Sequence, residues 1–124
     1  MIKRISRKEK SEIRHKRSRR KAVRFSHIPR LSVFKSSKHI YAQIIDDIKG
    51  YTLVAASSLS PQVKEIINQD KKKKVEIAKI VGRHIAEISL SNSIKKVYFD
   101  RGGYPYHGRV RSVAEGAREA GLEF

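Results

Sequence analysis

The chain contains no cysteine, so disulfides and thiolate metal sites are excluded. Tryptophan is also absent, and proline occurs only three times in 124 residues. Acidic residues are scarce: 12 Asp and Glu stand against 29 Lys and Arg, a formal net charge of +17. No apolar run approaches the roughly 18 residues that a membrane-crossing helix needs. The amino terminus has no apolar stretch of the secretory-signal kind. Its Arg and Ser content matches that of organelle transit peptides, but Glu9 and Glu12 interrupt it.

Positive charge is what the chain has in excess. Such an imbalance implies a polyanionic partner, either nucleic acid or an acidic membrane surface. The length is that of one domain. Residues 1–30 hold 13 Lys and Arg against 2 acids, whereas residues 31–124 hold 16 against 10. The first segment has few aliphatics (Ile2, Ile5, Ile13, Val23), too few to bury a core. Residues 1–29 therefore read as a basic extension, disordered alone or helical on contact with an anion. Its candidate phosphate-binding cations are Arg4, Arg7, Arg14, Lys16, Arg17, Arg19, Arg20 and Lys21.

Pro29 marks a boundary, and residues 30–124 read as the folded domain. Leu31–Ser36, His39–Asp46 and Tyr51–Ala56 predict three strands joined by tight turns. Ser60-Pro61 predicts a helix start, with Ser60 as N-cap, and a short helix to about Asn68. Ile77, Ile80, Val81, His84, Ile85 and Ile88 recur at helical spacing and predict a long helix over Val75–Leu90. Lys95–Phe99 predicts a fourth strand, parallel to an earlier one. Val110, Val113, Ala114 and Ala117 form the apolar face of a last helix, Val110–Ala120, which Gly121 stops. The economical architecture is α/β, a mixed sheet with helices packed on one face.

Alternation separates the faces of the first hairpin. Leu31, Val33, Ile40, Ala42 and Ile44 form an aliphatic set for the helix-covered core. Arg30, Ser32, Phe34, Ser36, His39, Tyr41 and Gln43 face the other way, with Lys38 in the turn between the strands. Flat rings among hydrogen-bonding groups make a stacking platform for bases or riboses. The alternative is that Phe34 and Tyr41 simply form a stabilising cross-strand pair.

Phe99–Val110 reads F-D-R-G-G-Y-P-Y-H-G-R-V. It has too few aliphatics for a core element and suits a loop that grips a phosphate-rich, base-bearing partner. Gly102 and Gly103 permit close backbone approach. Arg101, Arg109 and Arg111 can clamp phosphates. Tyr104, Tyr106 and His107 can stack on bases or meet a ribose hydroxyl. Gly108 precedes the last helix, whose amino terminus offers N–H groups to an anion. The alternative is an ordinary turn with Tyr104 packed on the domain.

His84 reads as a buried histidine of the long helix, and the histidines show no metal-ligand spacing. Asp46, Asp47 and Asp100 are the carboxylates that a metal-dependent nuclease would need. Asp46 and Asp47 are adjacent in a turn, so their side chains diverge. Asp100 reads as a loop cap or an ion-pair partner of Arg101 or Lys95. No nucleophile–base arrangement is visible, and neither an enzyme, a cofactor nor a small-molecule substrate is expected.

Arg30–Asp47 (R-L-S-V-F-K-S-S-K-H-I-Y-A-Q-I-I-D-D), Phe99–Val110 and the ending A-R-E-A-G-L-E-F at Ala117–Phe124 resemble the bacterial-type large-subunit ribosomal protein L-eighteen family. The resemblance covers nearly the whole chain. It implies a mixed sheet of ribonuclease-H-like topology without a catalytic site. It also implies a structural role in the large ribosomal subunit, in a bacterial cytoplasm or an organelle. The implied partners are 5S ribosomal RNA, large-subunit ribosomal RNA and central-protuberance neighbours such as protein L-five, with no membrane. The family's basic extension also contacts RNA, which fits Lys3–Arg24. Two departures stand out: Pro105 within the loop, and A-V-R-F-S-H-I-P at Ala22–Pro29, which lacks the family's glycine turn. The competing readings are a general basic nucleic-acid-binding protein and a metal-dependent nuclease on a similar fold.

Overall fold

The computed structural model describes residues 28–69 and 72–124, together with Lys8 and Glu12. The order is β1 (Arg30–Lys35), β2 (Ile40–Asp46), β3 (Tyr51–Ser57), α1 (Pro61–Gln69), α2 (Lys74–Ser91), β4 (Tyr98–Asp100) and α3 (Gly108–Glu119). The sheet runs β3-β2-β1-β4, a mixed α/β arrangement as expected. The first three strands are antiparallel neighbours, and β4 lies parallel to β1. No helix among the described residues is long and apolar enough to cross a membrane.

The inward strand residues are those that alternation selects. Leu31, Val33, Ile40, Ala42 and Ile44 are all buried, joined by Val54 and Ala56 of β3. They share one cluster with Val63 of α1, Val81 and Ile85 of α2, and Val110, Val113 and Ala117 of α3. Burial of each Leu, Ile or Val among them contributes about 1.5–3 kcal/mol.

The long helix is rotated from its expected stripe. Its buried residues are Ala78, Val81, Gly82, Ile85, Ala86 and Ser89, mostly small, while Ile80 and Ile88 flank them half-buried. The reason is α3, which packs backbone to backbone on this face. A side chain at Gly82 would meet the Val113 carbonyl, and one at Gly116 would meet the Lys79 carbonyl. Ile77, Ile80 and Ile88 thus mark the flank of the buried stripe, while Val81 and Ile85 stay within it beside the small residues. His84 is accordingly half-buried at a groove between α1 and α2, rather than buried in the core. The Ser60 hydroxyl turns back to accept from the Ser57 N–H at 3.0 Å.

The fourth strand is shifted from its expected place. Lys95–Val97 instead flank the carboxyl-terminal segment: Val97 donates to the Glu123 carbonyl at 3.0 Å, and Glu123 to that of Lys95 at 2.9 Å. Pairing with β1 starts only at Tyr98, opposite Arg30. The last helix starts two residues early, with Gly108 as its first residue. It ends as expected at Gly121, whose φ is 109°. Gly121 donates to the Arg118 carbonyl and Leu122 to that of Ala117, both at 3.1 Å, which closes a Schellman cap.

Candidate nucleic-acid interface

Of the outward hairpin residues, Ser32, Phe34, Tyr41 and Gln43 lie together on a sheet face away from the core cluster. Ser32 stands opposite Gln43, and Phe34 opposite Tyr41. Phe34 is 59% exposed, and its ring centroid lies 5.9 Å from that of Tyr41, tilted by 39°. The rings therefore form a pair and also present open surface to solvent. β3 enlarges the face with residues not expected there from the sequence. Ala55 sits opposite Gln43 and Ser57 opposite Tyr41. Thr52 donates its hydroxyl to Gln43 Oε1 at 3.5 Å. The same alternation, applied to β3, carried that signal.

Arg30, another of the outward residues, is tied to two carboxylates. It donates from Nη1 to the Asp100 carboxylate at 2.8 Å, and from Nε and Nη2 to Asp47 at 3.2 and 3.1 Å. Burial opposes its charge, but the two carboxylates outweigh burial and hold the guanidinium above its usual range. Asp100 is thus the partner of Arg30 rather than of Arg101 or Lys95. Its other oxygen caps the loop, accepting from the Gly102 N–H at 2.9 Å. Next to it, burial and the Asp100 charge raise the Tyr98 phenol above its usual range, while Arg101 works the other way.

The loop leaves the sheet through two positive-φ glycines, Gly102 at 62° and Gly103 at 84°. A side chain at Gly102 would press on the Val33 carbonyl at 3.3 Å. Arg101 stands exposed, and Gly103 is buried. Tyr104 packs half-buried against the core, and its hydroxyl accepts from the Lys35 N–H at 3.5 Å. Tyr106 packs edge-on against Phe99 and accepts a hydrogen bond from Arg118 at 3.1 Å. Phe99 is in register with inward-facing Leu31, so Tyr106 is placed off the open sheet face. His107 is exposed as the extended N-cap of α3, with no side-chain cap bond.

Two of the loop arginines bond within the domain. Arg109 donates to the Ser36 carbonyl at 2.8 Å and reaches that of His39 at 3.5 Å, tying α3 to the β1–β2 turn. Arg111 is exposed and pairs with Glu115 one turn on, at 2.9 Å. In the turn, Lys38 is exposed, and His39 Nδ1 lies 2.9 Å from the Ser58 hydroxyl. Ser36 Oγ accepts from the His39 N–H at 3.1 Å. The extension cations Arg4, Arg7, Arg14, Lys16, Arg17, Arg19, Arg20 and Lys21 lie outside the described residues.

The three carboxylates considered for a nuclease do not converge. Asp46 accepts from the Ile48 and Lys49 N–H groups, both at 3.0 Å, and closes the β2–β3 turn. Asp47 and Asp100 flank one guanidinium. The arrangement is therefore one of open rings, amides, hydroxyls and cations, which is binding chemistry.

Comparison with known proteins gives one consistent result. Residues 5–124 match the family described as ribosomal L18 of archaea, bacteria, mitochondria and chloroplast. The chain is 56% identical over all its 124 residues to the large ribosomal subunit protein uL18 of Caldicellulosiruptor saccharolyticus, covering 98% of that protein. It is similarly 56% identical to uL18 of Thermotoga petrophila and 57% to that of Dictyoglomus thermophilum, each matched over its full length.

Proposed function

Because this chain belongs to the ribosomal L18 family, non-enzymatic structural constituents of the large ribosomal subunit, we propose that it binds 5S ribosomal RNA. In this reading it helps attach that RNA to large-subunit ribosomal RNA in the central protuberance, beside neighbours such as protein L-five. The open sheet face carries the proposal, with Phe34 59% exposed among Ser32, Tyr41 and Gln43. An exposed ring on a sheet lined with hydrogen-bonding groups suits stacking on an unpaired base. Arg101 and Lys38 stand exposed and can meet phosphates. Residues 1–29 act as a basic arm that neutralises further phosphates, and residues 30–124 act as the RNA-binding domain.

The test is binding to refolded 5S RNA against an unrelated folded RNA of equal length, at near-physiological salt. The expected preference is on the order of a thousandfold. Equal binding to both would show that charge alone drives association and would remove the 5S assignment.

A further inference from the structure

A second basic feature lies apart from the open face. Lys35 continues the inward alternation of Leu31 and Val33 and stands opposite Ile40, so it projects to the helix-bearing side of the sheet. There a cavity of about 360 Å³ is lined by Lys35, Lys74, Val75, Pro105, His107, Gly108 and Arg109. Three separate elements supply its cations: the end of β1, the start of α2 and the start of α3.

Among the described residues no carboxylate pairs with Lys35, Lys74 or Arg109. Among the described residues the ion-paired cations are Arg30, Lys79 and Arg111. Lys74 instead donates to the Ser37 carbonyl at 2.6 Å, and Arg109 to that of Ser36. The Lys35 ammonium lies 5.2 Å from the Tyr104 ring centroid. These partners orient each cation and leave its charge intact. The acid nearest in sequence, Glu76, accepts from the Lys73 N–H at 3.3 Å. Three like charges held around one cavity repel one another unless an anion enters. The first turn of α3 adds to this, since it has no acid and no side-chain cap.

We infer that the cavity between Lys35, Lys74 and Arg109 seats a backbone phosphodiester of RNA, making a second contact on the helix-bearing side of the sheet. The inference rests on the RNA-binding reading for its ligand, but not on 5S RNA or on the open face. Lys35 and Lys74 bind the phosphate oxygens through their ammonium donors, and Arg109 stays fixed by the turn. The apolar wall of Val75 and Pro105 suits the ribose beside the phosphate.

The test uses the full chain and the double variant Lys35→Met with Lys74→Met, which spares Arg109. Amide shifts of the ¹⁵N-labelled protein are followed while diuridine monophosphate is added, and separately inorganic phosphate at matched ionic strength. The diester is expected to shift Gly108, Arg109 and Val110 at lower concentration than free phosphate does, and the variant to lose those shifts. Tighter response to inorganic phosphate would assign a free-anion site and overturn the inference. So would shifts scattered over all basic residues, or shifts unchanged in the variant. A salt titration on 5S RNA gives the second readout. The variant's slope is expected to be shallower by roughly 0.7–0.9 for each phosphate it no longer neutralises. Failure of 5S preference in the wild type would count against the 5S reading alone, because the diester titration stands without it.

Discussion

Arg30 and Asp100, seventy residues apart, are joined at 2.8 Å across the parallel pairing of β1 with β4. The Asp100 side chain is wholly buried and that of Arg30 is 15% exposed. The pair couples the open sheet face to the loop, because the same carboxylate holds the Gly102 amide. Removing one partner leaves a buried charge uncompensated. Arg30→Met is expected to cost about 3–5 kcal/mol, read from urea unfolding. A loss below about 1 kcal/mol would place the pair among weak surface bridges.

Gly82 and Gly116 are reciprocal contacts, each facing backbone of the opposite helix. Gly116→Ala is expected to force α3 away from α2, at about 3 kcal/mol. Thermal unfolding of Gly116→Ala beside an exposed control such as Ser91→Ala checks this, and equal melting temperatures would refute it.

Ser93 holds φ at 63°, a left-handed conformation that costs a residue bearing a Cβ. It closes α2 much as Gly121 closes α3: Ser93 donates to the Leu90 carbonyl at 3.1 Å and Ile94 to that of Ser89 at 2.8 Å. Ser93→Gly is therefore expected to stabilise the domain by about 0.5–1 kcal/mol, the left-handed cost less the chain entropy that glycine adds. A lower denaturation midpoint in the variant would show that chain entropy outweighs the relief of strain.

Phe34 is exposed, so Phe34→Ala tests binding with little effect on folding. The expected loss of RNA affinity is about 1–3 kcal/mol if one base stacks on the ring. Circular dichroism melting of the same variant provides the comparison. Reduced stability with unchanged affinity would make the Phe34–Tyr41 pair a hairpin stabiliser only.

Deleting residues 1–24 tests the basic arm. The domain is expected to remain folded while the dependence of affinity on salt flattens, by roughly 0.7–0.9 for each phosphate that the arm neutralises. An unchanged slope in a binding titration would mean that the arm touches no phosphates.

Much of this protein follows from local pattern. A period of two placed Leu31, Val33, Ile40, Ala42 and Ile44 inside and left Phe34 and Gln43 open. Backbone chemistry placed the stop at Gly121, and ordered motifs identified the family. These features were legible because side-chain direction along a strand or helix depends on near neighbours. The tertiary structure decided what depends on distant partners. Parallel pairing of β1 with β4 brought Arg30 to Asp100, and so made an outward residue of the hairpin part of a structural tie. Close packing of α2 on α3 moved the centre of the buried stripe from Ile80 and Ile88 to Ala78, Gly82 and Ala86, with Val81 and Ile85 kept. The meeting of three element ends gathered Lys35, Lys74 and Arg109 around one cavity. Periodicity specifies which face a residue occupies, but only the packed elements determine which charge or backbone lies opposite it.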